Sequence, residues 1–225
     1  MARTADYKSA FDVIGPIMIG PSSSHTAGAV RMGSAARKVL GLEPESISIS
    51  YYESFAETHA GHGTDLAIIA GVLDFPTEDP RVKTSIEIAE SKGINIEFIE
   101  ETGTNVGEHP NSALVRLDKG DKHIEVCANS IGGGTIKIRS IHVNGACALM
   151  NHTLPLLVLY GEAPLGEFNR CITTLSESGL NINEEIKSQK DGKTIVALHL
   201  HKPIKPELLA SIQSEFKSIE FSNII

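Results

Sequence analysis

From Leu154 to Ile224 the chain reads LPLLVLYGEAPLGEFNRCITTLSESGLNINEEIKSQKDGKTIVALHLHKPIKPELLASIQSEFKSIEFSNI, and this stretch decides the fold. The run over 154–160 has the length and unbroken apolar character of a buried strand. Behind it Leu165, Phe168, Ile172 and Leu175 recur at i, i+3, i+7 and i+10, which places them on one face of a helix over 165–178. Ile204, Leu208, Leu209, Ile212 and Phe216 line a second stripe, for a helix over 205–216. Between them, Lys190-Asp191-Gly192-Lys193 puts Asp-Gly at the centre of a hairpin joining strands over 180–187 and 194–201. A last strand spans 219–224. The order is βαββαβ, the ferredoxin-like split arrangement with two helices on one face of an antiparallel sheet.

Toward the N terminus the pattern is mixed. Ala29, Met32, Ala36, Val39 and Leu40 form a helical stripe after Ser24, whereas Ile47, Ile49 and Tyr51 alternate with serines as a half-buried strand. Helices are expected over about 65–73 and 83–92, and strands near 94–99, 113–117, 123–128 and 136–143, the last reached through Gly132-Gly133-Gly134. Residues 144–152 read as a linker. The class is therefore α+β, with a mixed α/β domain over 1–148 and the ferredoxin-like βαββαβ domain over 149–225.

The 225 residues, 41% hydrophobic and 21% charged, suffice for one large or two modest cores. Asp and Glu number 28 against 20 Lys and Arg, a formal charge of -8 that repels nucleic acids and anionic membranes. No apolar run reaches the roughly 18 residues of a membrane span, and MARTADYKSAFDVIG lacks the basic-then-apolar pattern of a leader, so a cytoplasmic location is expected. Cys127, Cys147 and Cys171 are odd in number, far apart and without a CxxC pair. They are expected to stay reduced and to form neither a zinc site nor an iron-sulfur cluster. His199 and His201 share a strand face without a third ligand, so no metal site is assigned. His59, His123, His142 and His152 receive no role.

Two segments could carry chemistry. In Gly20-Pro21-Ser22-Ser23-Ser24-His25-Thr26-Ala27-Gly28 a Gly-Pro turn precedes three hydroxyls and then a helix. Hydroxyls and free N-H groups at a positive helix end suit a carboxylate or phosphate, and equally suit a simple cap, with Ser24 as N-cap. His25 adds a titratable group that a cap does not need. In Ala60-Gly61-His62-Gly63-Thr64-Asp65 the glycines leave His62 exposed on a tight loop, with Thr64 placed to cap the next helix. Such a histidine is either a solvated turn residue or a general base titrating near neutrality.

GPSSSHTAG (20–28), GHGTD (61–65), HPN (109–111) and SIGGG (130–134) occur in an order and at spacings that resemble the beta chain of the iron-sulfur-dependent, PLP-independent bacterial L-serine dehydratases. The resemblance covers the whole chain, because that beta chain also ends in a βαββαβ ACT domain. It implies an α,β-elimination taking L-serine to pyruvate and ammonia, with a [4Fe-4S] cluster on a partner alpha chain acting as Lewis acid toward the departing hydroxyl. It implies catalytic roles for His62, as base at the α-carbon, and for His25. L-Serine would be held by Ser22, Ser23, Ser24, Thr26, Thr64 and Asp65.

Residues 161–166 depart from the Asp-x-x-Gly-like turn of ACT domains: Glu162 replaces Asp, and the spacing to Gly166 is one residue longer. Amino-acid binding by this domain thus stays open, and its sheet edges equally suit homo-oligomer contacts. The first part of the chain also resembles the allosteric substrate-binding domain of some phosphoglycerate dehydrogenases, a regulatory module without chemistry. The intact Ser-Ser-Ser-His and Gly-His-Gly pair favours the lyase.

Overall fold

The computed structural model describes residues 17, 18, 20 and 22–225. The N-terminal segment without a leader pattern and Pro21 of the Gly-Pro turn lie outside these residues. Among the described residues no helix is long and apolar enough to cross a membrane.

Helix α1 (Ala29–Leu40) leads to β1 (Ser46–Tyr52), and α2 (Glu53–His62), α3 (Thr64–Val72) and α4 (Ser85–Ser91) then connect to β2 (Asn95–Glu101). A meander follows: β3 (Ser112–Lys119), β4 (Lys122–Gly132), β5 (Thr135–Val143) and β6 (Ala146–Thr153). These six strands form one sheet in the order β2-β1-β3-β4-β5-β6. Its β1–β2 pair is parallel, as the helical crossover between them requires, and its other pairs are antiparallel. Ile47, Ile49 and Tyr51 alternate inward from β1 as their spacing predicts, and the whole α1 stripe is buried with them.

The second sheet, β10-β7-β9-β8, is antiparallel throughout and carries the βαββαβ order: β7 (Leu156–Gly161), α5 (Leu165–Glu177), β8 (Ile182–Lys190), β9 (Lys193–Leu200), α6 (Pro206–Glu215) and β10 (Glu220–Ile224). Asp191 and Gly192 take φ of 51° and 79° in the β8–β9 turn, the left-handed pair that a two-residue hairpin demands. One face of this sheet, with Leu157, Leu159, Val196 and Leu198, buries Phe168 and Leu175 of α5 and Ile212 of α6. The opposite face, with Leu156, Val158, Ile195, Ala197 and Ile224, joins the core of the larger sheet. Strand β7 is therefore buried on both faces, which is why its sequence is an unbroken apolar run rather than an alternating one.

Two features differ from the sequence reading. The expected linker over 144–152 is largely β6, whose Ala146, Ala148 and Met150 alternate into the core beside β5. Small residues hide that alternation in a hydropathy pattern. Helix α2 was not expected because it lacks an apolar stripe: only Phe55 and His59 are buried along it.

Helix α3 is apolar all round and lies in the centre of the core. It crosses α1 at two reciprocal glycines. A Cβ on Gly33 would stand 2.0 Å from the Ile68 carbonyl oxygen, and one on Gly71 would stand 1.9 Å from that of Val30. Backbone meets backbone here, so the two helices, and the segments that precede each of them, have a fixed separation.

Candidate functional site

The segment entering α1 winds as a single π-helical turn, Ser23–Gly28, that runs directly into the helix. Ser22 is its cap: in extended conformation, its Oγ accepts the His25 N-H at 3.3 Å, and the Thr26 N-H donates to the Ser22 carbonyl at 2.8 Å. The cap is thus Ser22 rather than Ser24, because the wide turn begins at Ser23, two residues earlier than a Ser24 cap would start it. Ser22→Ala is expected to cost about 1 kcal/mol, some 2–4 °C in thermal unfolding, while Ser24→Ala leaves the melting temperature nearer wild type.

The turn is fastened by two other motifs. Ser130 Oγ donates to the Ser24 carbonyl at 2.9 Å, and the Ser130 N-H donates to that of Asn111 at 2.9 Å. A Cβ on Gly28 would come within 2.2 Å of Ser130 Oγ, so only glycine allows the approach. Pro110 in turn accepts the Phe55 N-H at 3.2 Å. SIGGG and HPN therefore hold the serine-rich turn and the start of α2 in one frame.

His62 does not sit on a loop. It is the last residue of α2, and Gly63, in the left-handed region at φ 71°, turns the chain at once into α3. His62 remains exposed. Thr64 does not cap α3; its hydroxyl is buried and, like that of Thr26, has no hydrogen-bond partner among the described residues.

The two histidines meet. The rings of His25 and His62 lie 4.7 Å apart at 59°, and His25 also rests 5.1 Å from the Phe55 ring. Thr58 Oγ1 donates to the Ser54 carbonyl at 2.5 Å, so it accepts from His25 Nε2 at 3.1 Å, which leaves His25 Nδ1 to accept from Ser22 Oγ at 3.3 Å. Burial, and after it the neighbouring His62, hold His25 below the ordinary imidazole range, in keeping with this neutral tautomer.

Beside the pair opens a cavity of about 340 Å³, lined by Gly20 and Thr26 from the first segment, residues 60–63 from the second, and Lys83. That is room for a small metabolite. Of the residues singled out in the sequence, His62 and Thr26 line it, and His25 backs His62. Ser22, Ser23, Ser24, Thr64 and Asp65 lie off its wall. Asp65 is engaged elsewhere, with His59 Nδ1 at 2.7 Å. Sequence reading missed Lys83, an exposed cation in the wall, because it falls in the short 3-10 turn Pro80–Thr84 where no pattern marks it.

The cysteines do not suit a cluster. Cys127 on β4 and Cys171 on α5 are buried, and burial pushes their thiols up to about 11 and about 12. Cys147, on β6 rather than in a linker, is raised for the same reason. Protonated thiols on three separate elements do not converge as thiolate ligands. His199 stacks on His152 at 4.5 Å instead of pairing with His201, which lies beyond the end of β9. Among the described residues no group of three or more His, Cys, Asp or Glu side chains could hold a metal ion.

Residues 9–140 match the family described as serine dehydratase beta chain. The chain is 45% identical over 185 residues, 82% of each partner, to the probable L-serine dehydratase beta chain of Bacillus subtilis. It is 37% identical over 213 residues to the L-serine dehydratase beta chain of Peptoniphilus asaccharolyticus, covering 92% of this chain and 93% of that one.

Proposed function

The chain belongs to the serine dehydratase beta chain family as a beta subunit of L-serine dehydratase, and we propose that its cavity beside His62 receives L-serine for α,β-elimination to pyruvate and ammonia. The observation that supports this reading best is the meeting of His25 and His62, from two distant motifs, at the wall of one small cavity. Lys83 and the Thr26 hydroxyl, which has no hydrogen-bond partner among the described residues, bind the serine carboxylate, as a cation and a hydrogen-bond donor suit an anion. His62 takes the α-proton and the C-H electron pair forms the double bond as the C-O bond breaks; the β-hydroxyl leaves with that bond's pair and is protonated to water, and aminoacrylate takes up one water to give pyruvate and ammonia. His25, whose affinity for a proton is lowered by burial, stands beside His62 as a neutral imidazole.

This chain's thiols do not fit a [4Fe-4S] cluster, which accords with the cluster residing on a partner alpha chain. The βαββαβ unit, expected over 149–225 and beginning at Leu156 after β6, is read as an ACT domain, and homo-oligomer contacts through a sheet edge belong to the same reading. Free cysteines accord with a cytoplasmic location. The test is reconstitution. The purified chain by itself is expected to be colourless and inactive on L-serine, and pyruvate formation is expected only after anaerobic mixing with a cluster-bearing alpha chain. A brown isolated chain with iron-sulfur absorption, or turnover without the partner, would overturn the reading.

A further inference from the structure

Helix α2 has little of its own to hold it in place. Of its ten residues only Phe55 and His59 are buried, and its C-terminal end, which carries His62, is joined to α3 through the single left-handed residue Gly63. A Cβ at Gly63 would meet nothing within 4 Å, so no steric contact at that residue fixes the elbow. What spans it is a polar clamp. His59, three residues before His62, brings Nδ1 to 2.7 Å from Asp65 Oδ1 on α3 and Nε2 to 3.1 Å from Glu100 Oε1 on β2. Carboxylates only accept, so a ring nitrogen that carries a proton donates to the carboxylate it faces, and the two contacts together fix the ring's orientation. Its face stacks on Tyr51 of β1 at 4.4 Å and 18°. Asp65 is largely buried, whereas Glu100 is mostly in solvent, so the inner His59–Asp65 contact is the stronger arm.

We propose that His59 is a positioning residue for this enzyme: by bridging the helices on either side of Gly63, it fixes the elbow that presents His62 to His25 and to the cavity. Asp65 is then the anchor of that clamp and not a substrate ligand. The inference rests on the reading of His62 given above, and adds a role for two residues that do not line the cavity.

The test separates positioning from packing. His59→Phe keeps a ring on Tyr51 but cannot bond Asp65; His59→Asn loses the ring but keeps a donor near the place of Nδ1. In the reconstituted enzyme, His59→Phe is expected to lower kcat by about 10–10²-fold, the scale of a misplacement near 1 Å, with KM for serine little changed. His59→Asn should retain more of the activity. Independently of turnover, NMR of the full chain should show cross-peaks between His25 and His62 ring protons that His59→Phe loses and His59→Asn keeps. Asp65→Ala, which leaves the stacked ring in place but removes the acceptor for His59 Nδ1, should behave as His59→Phe does and serves if that variant does not fold. Preserved His25–His62 cross-peaks in both His59→Phe and Asp65→Ala would overturn the proposal. A failure of the reading of His62 looks different: His62→Ala would turn over normally while the cross-peak results stood.

Discussion

His62→Ala in the reconstituted enzyme is expected to lower kcat by about 10²–10⁴-fold, the range over which a positioned general base contributes, with a much smaller change in KM. The asymmetry follows from when the imidazole acts. Proton removal strengthens its interaction only in the transition state, whereas Lys83 and Thr26, in the proposed pose, would hold the serine carboxylate in ground state and transition state alike. Folding should be unaffected, because His62 is exposed at a helix end. Steady-state kinetics with L-serine, alongside a thermal melt, check both halves. Near-normal turnover would make His62 a turn residue.

The second large effect lies in the core. Gly71→Ala places a methyl group where the Val30 carbonyl oxygen would stand 1.9 Å away, and the obstacle is backbone, which cannot rotate aside. Relief requires α1 and α3 to separate. Overpacking of this kind costs about 1–3 kcal/mol, or roughly 2–12 °C in melting temperature for a chain of this size. Because α1 follows the serine-rich turn and α3 follows His62, the same shift should spread the segments that carry His25 and His62, so serine turnover should fall along with stability. Thermal unfolding by circular dichroism and a pyruvate assay on the reconstituted variant measure the two effects. An unshifted melting curve would mean that the crossing has slack the backbone distances do not suggest.

Sequence patterning reached the second sheet most completely, because its helices each bury one face and its hairpin carries Asp-Gly, so local signal and final structure agree. It did not reach β6 or α2. The inward residues of β6 are small, and α2 is held by two buried side chains and contacts from distant motifs rather than by a stripe of its own. At the site, GPSSSHTAG and GHGTD marked the two histidines that meet. The partition of roles around them was not legible. Whether a serine lines a cavity or caps a turn depends on where the helix starts, and Asp65 is withdrawn by His59, whose partner Glu100 comes from a strand 41 residues away. Lys83 reaches the wall only through the tertiary path of a short 3-10 turn.

The central claim is that an imidazole at position 62 removes the α-proton of serine in this cavity. Its most direct test is rescue of His62→Ala by free imidazole, with L-serine carrying hydrogen or deuterium at the α-carbon. The side chain removed is exposed at an open cavity, so imidazole can take its place. Pyruvate formation is predicted to rise with imidazole concentration, and the rescued rate to be slower with the deuterated substrate. A variant that imidazole does not rescue, or a rescued rate indifferent to deuterium, would contradict it.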